Sequence, residues 1–203
     1  MTSQVSITRT ALLLVDLQND FLDPQGAYGR AGQSAAEIAA LPARLKPLAD
    51  IIRRKGGFVI ATLFTLVPGK GGEPILSSHL KKLRPFLAKG DFAPGSWGQQ
   101  LVDPLQPTDF LIEKVSYSAF YMTRLEWVLR KNAIERLIVG GIVTNGGVSS
   151  TVRDAHVRDI ETAVLSDGCA AFSREAHDTA IEALRPVSGI STVAEMSAAL
   201  KQI

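Results

Sequence analysis

The sequence has one cysteine, Cys169, in 203 residues. No internal disulfide can form. That excludes a disulfide-stapled secreted fold and points to a cytoplasmic protein. Histidine is almost as scarce: His79, His156 and His177 are scattered along the chain. Two of them fall on expected helices, where exposed or core roles dominate, so no metal site is expected. Charge of one sign is also lacking. The net charge is +2, and the basic residues are interspersed with acids, which gives no footprint for nucleic acid or a membrane surface. No long hydrophobic run is present near the N-terminus. The first one stops at Asp16, too short for a signal segment or a membrane span. What remains is an ordinary globular composition, 46% hydrophobic and 21% charged. The length favours one domain over residues 1–203.

The chain alternates apolar runs with amphipathic stretches. ALLLV (11–15) is continuous and rich in branched residues, as buried parallel strands are. FVIATLFTLV (58–67), DFLIEKV (109–115), RLIVGGIV (136–143) and TAVLS (162–166) are similar, and GISTV (189–193) is a weaker sixth. Between them, helices are expected at Leu41–Arg54, Thr123–Lys131, Val148–Arg158, Arg174–Leu184 and Ala194–Lys201. Pro42 suits a first turn and Lys55-Gly56-Gly57 a helix stop. Thr123 and Glu126 have the spacing of a capping box. Strand–helix alternation implies an α/β fold, a parallel sheet with helices on both faces. The segment 68–106 breaks this rhythm. It is rich in Gly and Pro, with one helix expected near Ser78–Leu87, and reads equally as a lid, an oligomer contact or a surface loop.

In open parallel sheets, ligands sit beyond the carboxyl ends of the strands. Asp16 follows the first strand, Lys114 ends the third, and Asp167 follows the fifth. After the fourth comes GGIVTNGGVSSTVRDA (140–155), where an apolar run stops and a helix begins. A nucleophile would normally occupy such an elbow; Gly146 and Gly147 stand there instead. A lone Asp at a strand end is more often a cap, and a lone Lys more often a surface charge, but here an acid, an amine and a helix N-terminus converge on one edge. Cys169 sits in DGCAAF, read as a turn into a loop, and a free cysteine there is more often buried than catalytic. Ser149, Ser150 and Thr151 suit first-turn capping.

Together, LLLVDLQNDF, PGSWGQQLVDPLQP, IEKVSYSAF, TRLEWVLRKNAIERLIVGGIVTN, VSSTVRDAHVRD and VLSDGCAAFS resemble the isochorismatase-like hydrolase superfamily, from Ala11 to about Ala199. The resemblance implies a six-stranded parallel sheet in the order 3-2-1-4-5-6, a three-layer αβα architecture, and a homodimer or homotetramer. Most members use an Asp, Lys, Cys triad. By position Asp16 and Lys114 match the first two, and Gly147 stands where the cysteine would be. A cis, non-proline peptide before the elbow would fall on Ile142–Val143. Nicotinamidases carry an Asp-x-His pair after the second strand; ATLFTLVPGK (61–70) has neither residue, so no metal or other cofactor is implied, and Phe64 and Leu66 suggest an apolar wall instead.

A thiolate would attack an amide carbonyl and form a covalent intermediate. Gly147 closes that route and leaves the amides of Gly146 and Gly147 to face an oxyanion or a carboxylate. True isochorismatases resemble the chain in having glycine there. They hydrolyse a vinyl ether: an Asp protonates a vinyl carbon and water captures the oxocarbenium. By this analogy Asp16 is the general acid, and Lys114 tunes it or holds the substrate. Their Ala-His-Ile-Gly-Cys elbow differs from TNGGVSS, so isochorismate is not implied as the substrate. The expected site comprises Asp16, Lys114 and Gly147 as the catalytic positions, with Gly146, Ile142, Val143, Phe21, Trp97, Tyr117 and Phe120 around a small-molecule substrate. Two alternatives stand beside a thiol-independent hydrolase: a silent member that binds a metabolite, and an amidase disabled at Gly147.

Overall fold

A computed structural model of the chain describes residues 6–202. Residues 1–5 and 203 of the expected domain lie outside the described residues. The elements in chain order are β1 (Thr10–Val15), α1 (Asn19–Leu22), α2 (Ala27–Arg30), α3 (Ala36–Ala39), α4 (Leu41–Arg54), β2 (Phe58–Phe64), α5 (Ser78–Leu83), β3 (Phe110–Lys114), α6 (Leu125–Lys131), β4 (Arg136–Ile142), α7 (Ser149–His156), β5 (Glu161–Ala170), α8 (Arg174–Leu184), β6 (Gly189–Ser191) and α9 (Val193–Lys201). The strands form one six-stranded sheet in the order β3-β2-β1-β4-β5-β6. All five pairings are parallel.

The alternation of side chains along β1 sorts the core into two layers. Leu12 and Leu14 pack with Leu45, Leu48 and Ile52 of α4 and Met196 and Leu200 of α9. Ala11, Leu13 and Val15 face the other way, onto Leu125, Val128 and Leu129 of α6, Val152 of α7 and Ile181 and Leu184 of α8. All six residues of β1 are buried, which is why the run reads as continuously apolar. Fully burying one such leucine contributes about 1.5–3 kcal/mol.

Two expected features differ in the structure. The capping box at Thr123 does not form. Helix α6 begins at Leu125 behind Arg124, because the Thr123 hydroxyl donates to Ala119 O and accepts from the Leu125 amide. Strand β5 runs on to Ala170, so Asp167 and Cys169 lie in the strand, not in a turn. The register shift against β4 between Val139 and Gly141 accommodates the extra length. Asp167 then reaches the start of α9 and accepts from the Val193 amide at 2.7 Å.

Gly141 shows why β1 and β4 can approach so closely at the edge that matters. Its φ is +125°, and a Cβ there would lie 2.2 Å from Val15 O. No side chain fits, and the backbone turns from strand to elbow one step from Asp16. The peptide Ile142–Val143 is cis.

Candidate active site

Asp16 leaves the end of β1 with φ +55°, a left-handed conformation that Asp tolerates better than most residues. That turn aims its carboxylate along the sheet edge. The Thr62 hydroxyl donates to Oδ1 at 2.6 Å and accepts from the Asp16 amide at 3.1 Å. Lys114 Nζ lies 2.7 Å from Oδ2 and also donates to Ser116 O at 2.9 Å. Both charged groups are buried. The Phe64 ring lies beneath the ammonium, 5.6 Å from centroid to Nζ. Burial pushes the Asp16 carboxyl above its ordinary 3.8, and the Lys114 ammonium and the Thr62 hydroxyl offset only part of that rise. Desolvation disfavours the charged form, so the direction follows from depth.

Gln18 fixes the loop behind Asp16. Its side-chain amide donates to Phe64 O and Gln99 O and accepts from the Phe64 amide. Asn19 donates to Trp97 O, and Asp20 accepts from the Ala27 and Phe92 amides. These buried polar side chains lash the excursion 68–106 to the sheet edge.

After β4 the chain makes a π-type turn, Thr144–Val148, that leads into α7. Gly147 faces Asp16: a Cβ built on it would lie 3.3 Å from Asp16 Oδ2, 3.2 Å from Val15 Cγ1 and 3.0 Å from Ile142 O. A side chain there would be tight, and these neighbours would have to give by a few tenths of an ångström. Ser149 donates to Thr144 O at 2.5 Å, and Thr151 accepts from the Ala119 amide.

The structure brings Asp16, Lys114, Gly147, Ile142, Val143, Phe21 and Tyr117 together around one cleft of about 60 Å³. It does not bring the other three there. The Gly146 amide is already engaged with Val143 O at 2.9 Å, so it is not free to cradle an anion as expected. Phe120 is buried beneath the Arg158 guanidinium, 4.9 Å from ring centroid to Cζ. Trp97 is 49% exposed on the outer surface. Trp97→Ala should leave kcat/KM within about twofold of the parent, as surface changes rarely exceed ~0.5 kcal/mol. A tenfold loss in a steady-state assay would place Trp97 in the site after all.

Sequence reasoning did not find Tyr28, Leu80, Arg84, Leu87 and Phe172, which complete the cleft wall. Arg84 Nε donates to the Tyr28 hydroxyl at 2.8 Å, and Phe172 stacks on Tyr28 with ring centroids 5.2 Å apart. Arg84 sits just beyond α5 in the irregular segment, where no periodicity marks a pocket residue. Cys169 is not an alternative nucleophile. Burial pushes its thiol up to about 12, and its Sγ lies 3.6 Å from Val139 O. Among the described residues, no group of three or more His, Cys, Asp or Glu side chains gathers where a metal could bind. No helix there is long and apolar enough to cross a membrane.

This strand order, with a lined cleft at the carboxyl edge of the sheet, is the layout of a small-molecule α/β enzyme. The isochorismatase domain model matches residues 10–195, and the chain belongs to that family of hydrolases. It is 32% identical over 169 residues to a ureidoacrylate amidohydrolase of Caulobacter vibrioides, covering 78% of this chain and 75% of the relative. A cysteine hydrolase from Pseudomonas syringae pv. phaseolicola superposes with a TM-score of 0.83 at 24% identity, over 100% of this chain and 99% of the other. An isochorismatase family protein from Burkholderia thailandensis does so with a TM-score of 0.74 at 25% identity, over 96% of each chain.

Proposed function

We propose that the protein hydrolyses a small planar substrate, foremost a vinyl ether, by acid catalysis from Asp16 with water as the nucleophile. The observation that carries this reading is the geometry at Asp16: a buried carboxyl 2.7 Å from Lys114 Nζ that faces Gly147, where no side chain can act as a nucleophile. The carboxyl is held above 3.8 by burial despite that ammonium, which suits a proton donor. In the reaction Asp16 delivers its proton to the terminal vinyl carbon. The C=C electrons form the new C–H bond, and an oxocarbenium remains. Water adds to the oxygen-bearing carbon of the oxocarbenium and returns a proton to the Asp16 carboxylate. The hemiketal then collapses to a carbonyl compound and an alcohol. Lys114 stabilises the carboxylate left after transfer, and the Gly147 amide faces the substrate oxygen. Arg84 and the Tyr28 hydroxyl supply a polar end to a wall of aromatic and aliphatic side chains, suited to a substrate that carries a hydrogen-bond acceptor. We place the reaction in the cytoplasm, with the chain as a homodimer or homotetramer; the single cysteine supports the first and the family resemblance the second.

The test is a turnover panel of isochorismate, simple vinyl ethers, ureidoacrylate, nicotinamide and biuret, run on the parent and on Gly147→Cys. The parent should hydrolyse a vinyl ether. Gly147→Cys should lose that activity and gain no amidase activity, because its Cβ would press on Ile142 O at 3.0 Å and on Asp16. A silent parent beside a Gly147→Cys variant that cleaves amides would replace this reading with that of a disabled cysteine hydrolase. Silence from both would favour a pocket that binds a metabolite without turnover.

A further inference from the structure

The cleft at Asp16 is narrow, about 60 Å³. A small planar head group suits its width. Beside it lies a groove of about 830 Å³, the size of an ordinary small-molecule site. This groove runs between the α3–α4 region and α8, with Cys169, Ala170 and Ala171 of β5 and its continuation among its lining. One side chain, Phe172, lines both spaces. It stands at the border of the two.

Phe172 is built to move. It stands two residues beyond the end of β5 and just before Ser173, whose hydroxyl caps α8. The backbone is thus pinned on both sides. The side chain is 38% exposed, and its one aromatic partner is Tyr28, stacked at 7° between ring planes. Rotamer changes of such part-exposed side chains are fast on the time scale of turnover.

We propose that Phe172 is a specificity-determining residue. It swings aside for substrates whose reacting head sits at Asp16 and whose polar, uncharged tail lies in the groove. The lining sets the tail's chemistry. Arg44 is paired with Glu37 at 2.8 Å and Arg174 with Asp178 at 2.9 Å, so each guanidinium's charge is offset by a neighbouring carboxylate. The lining's four carboxylates, Glu37, Asp167, Asp178 and Glu182, outnumber its two guanidiniums, which disfavours an anionic tail. Ser34, Ser166, Ser173 and His177 offer hydrogen bonds to ether or hydroxyl oxygens. This assignment of a substrate class rests on the hydrolase reading of the same cleft.

The experiment reads binding, so it stands even where turnover fails. Two probes are titrated into ¹⁵N-labelled full chain: benzamide, a head alone, and N-[2-(2-hydroxyethoxy)ethyl]benzamide, a head with the tail. Both should shift the Gly147 amide resonance. Only the longer probe should shift Ala171, Ser173 and His177. Phe172→Ala should tighten the longer probe about tenfold relative to benzamide, the scale of two buried methylenes. Ala36→Trp, which obstructs the groove, should weaken the longer probe alone. Equal effects of Phe172→Ala on both probes overturn the proposal, as does binding of the longer probe without shifts in the groove, or no binding of either. The hydrolase reading is judged apart, by the turnover panel.

Discussion

Asp16→Asn should cut vinyl ether turnover about 10²–10⁴-fold, the usual contribution of a positioned proton donor. The amide keeps the shape of the carboxyl, and its oxygen can still accept from Thr62. It cannot deliver a proton to carbon. Loss should appear in kcat, since the acid acts in the transition state and not in binding. The parental pH profile supplies an independent check. Asp16 donates only while protonated, and burial holds its carboxyl above 3.8. Activity should therefore be full at low pH and fall as pH rises through that displaced value. The falling limb must lie above 3.8 and vanish, with the activity, in Asp16→Asn. Near-parental kcat in a variant with an unchanged far-ultraviolet circular dichroism spectrum would remove Asp16 from the chemistry.

Much of this arrangement was legible in the sequence because single residues carry it. The inner strands β1, β2 and β4 were visible as apolar runs, since a sheet covered on both faces buries both side-chain sets there, whereas the edge strands β3 and β6 are partly exposed and β6 gave the weakest run. The Asp16–Lys114 pair was visible because both stand at strand ends, which the parallel topology brings to one edge. The cis peptide at Ile142–Val143 came from family resemblance, not from periodicity. What escaped notice depends on tertiary contact. Tyr28, Arg84 and Phe172 come from short or irregular segments, and only the folded chain stacks them over the cleft. Phe120 and Trp97 were expected beside the substrate from neighbouring motifs. One is turned under Arg158 and the other toward solvent, a distinction that sequence spacing does not encode. The Thr123 cap was outcompeted by a local alternative, its hydroxyl bonding Ala119 O, as Thr side chains often do.

The second large effect belongs to Lys114. Lys114→Met keeps the length of the side chain and removes the charge, leaving Asp16 buried without its cation. Breaking one side of a buried pair typically costs about 3–5 kcal/mol. Here the cost should depend on pH, because Asp16 can escape it by holding its proton. With Lys114 gone, the main influence that lowers the carboxyl is lost, and its pKa rises further above 3.8. A carboxyl whose folded pKa exceeds its unfolded value binds more protons in the native state. Its stabilising contribution is complete below the unfolded value and is lost as pH climbs through the folded one. Urea midpoints should therefore show Lys114→Met close to the parent near pH 4 and increasingly unstable toward pH 8. Kinetics then separate the two roles open to the lysine. If it tunes Asp16, the falling limb of the rate profile moves to higher pH and KM is unchanged. If it grips the substrate, KM rises at every pH and the limb stays with the parent. A uniform loss of stability at all pH values would mean that Asp16 remains ionised without its partner, and the acid role would lose its physical basis.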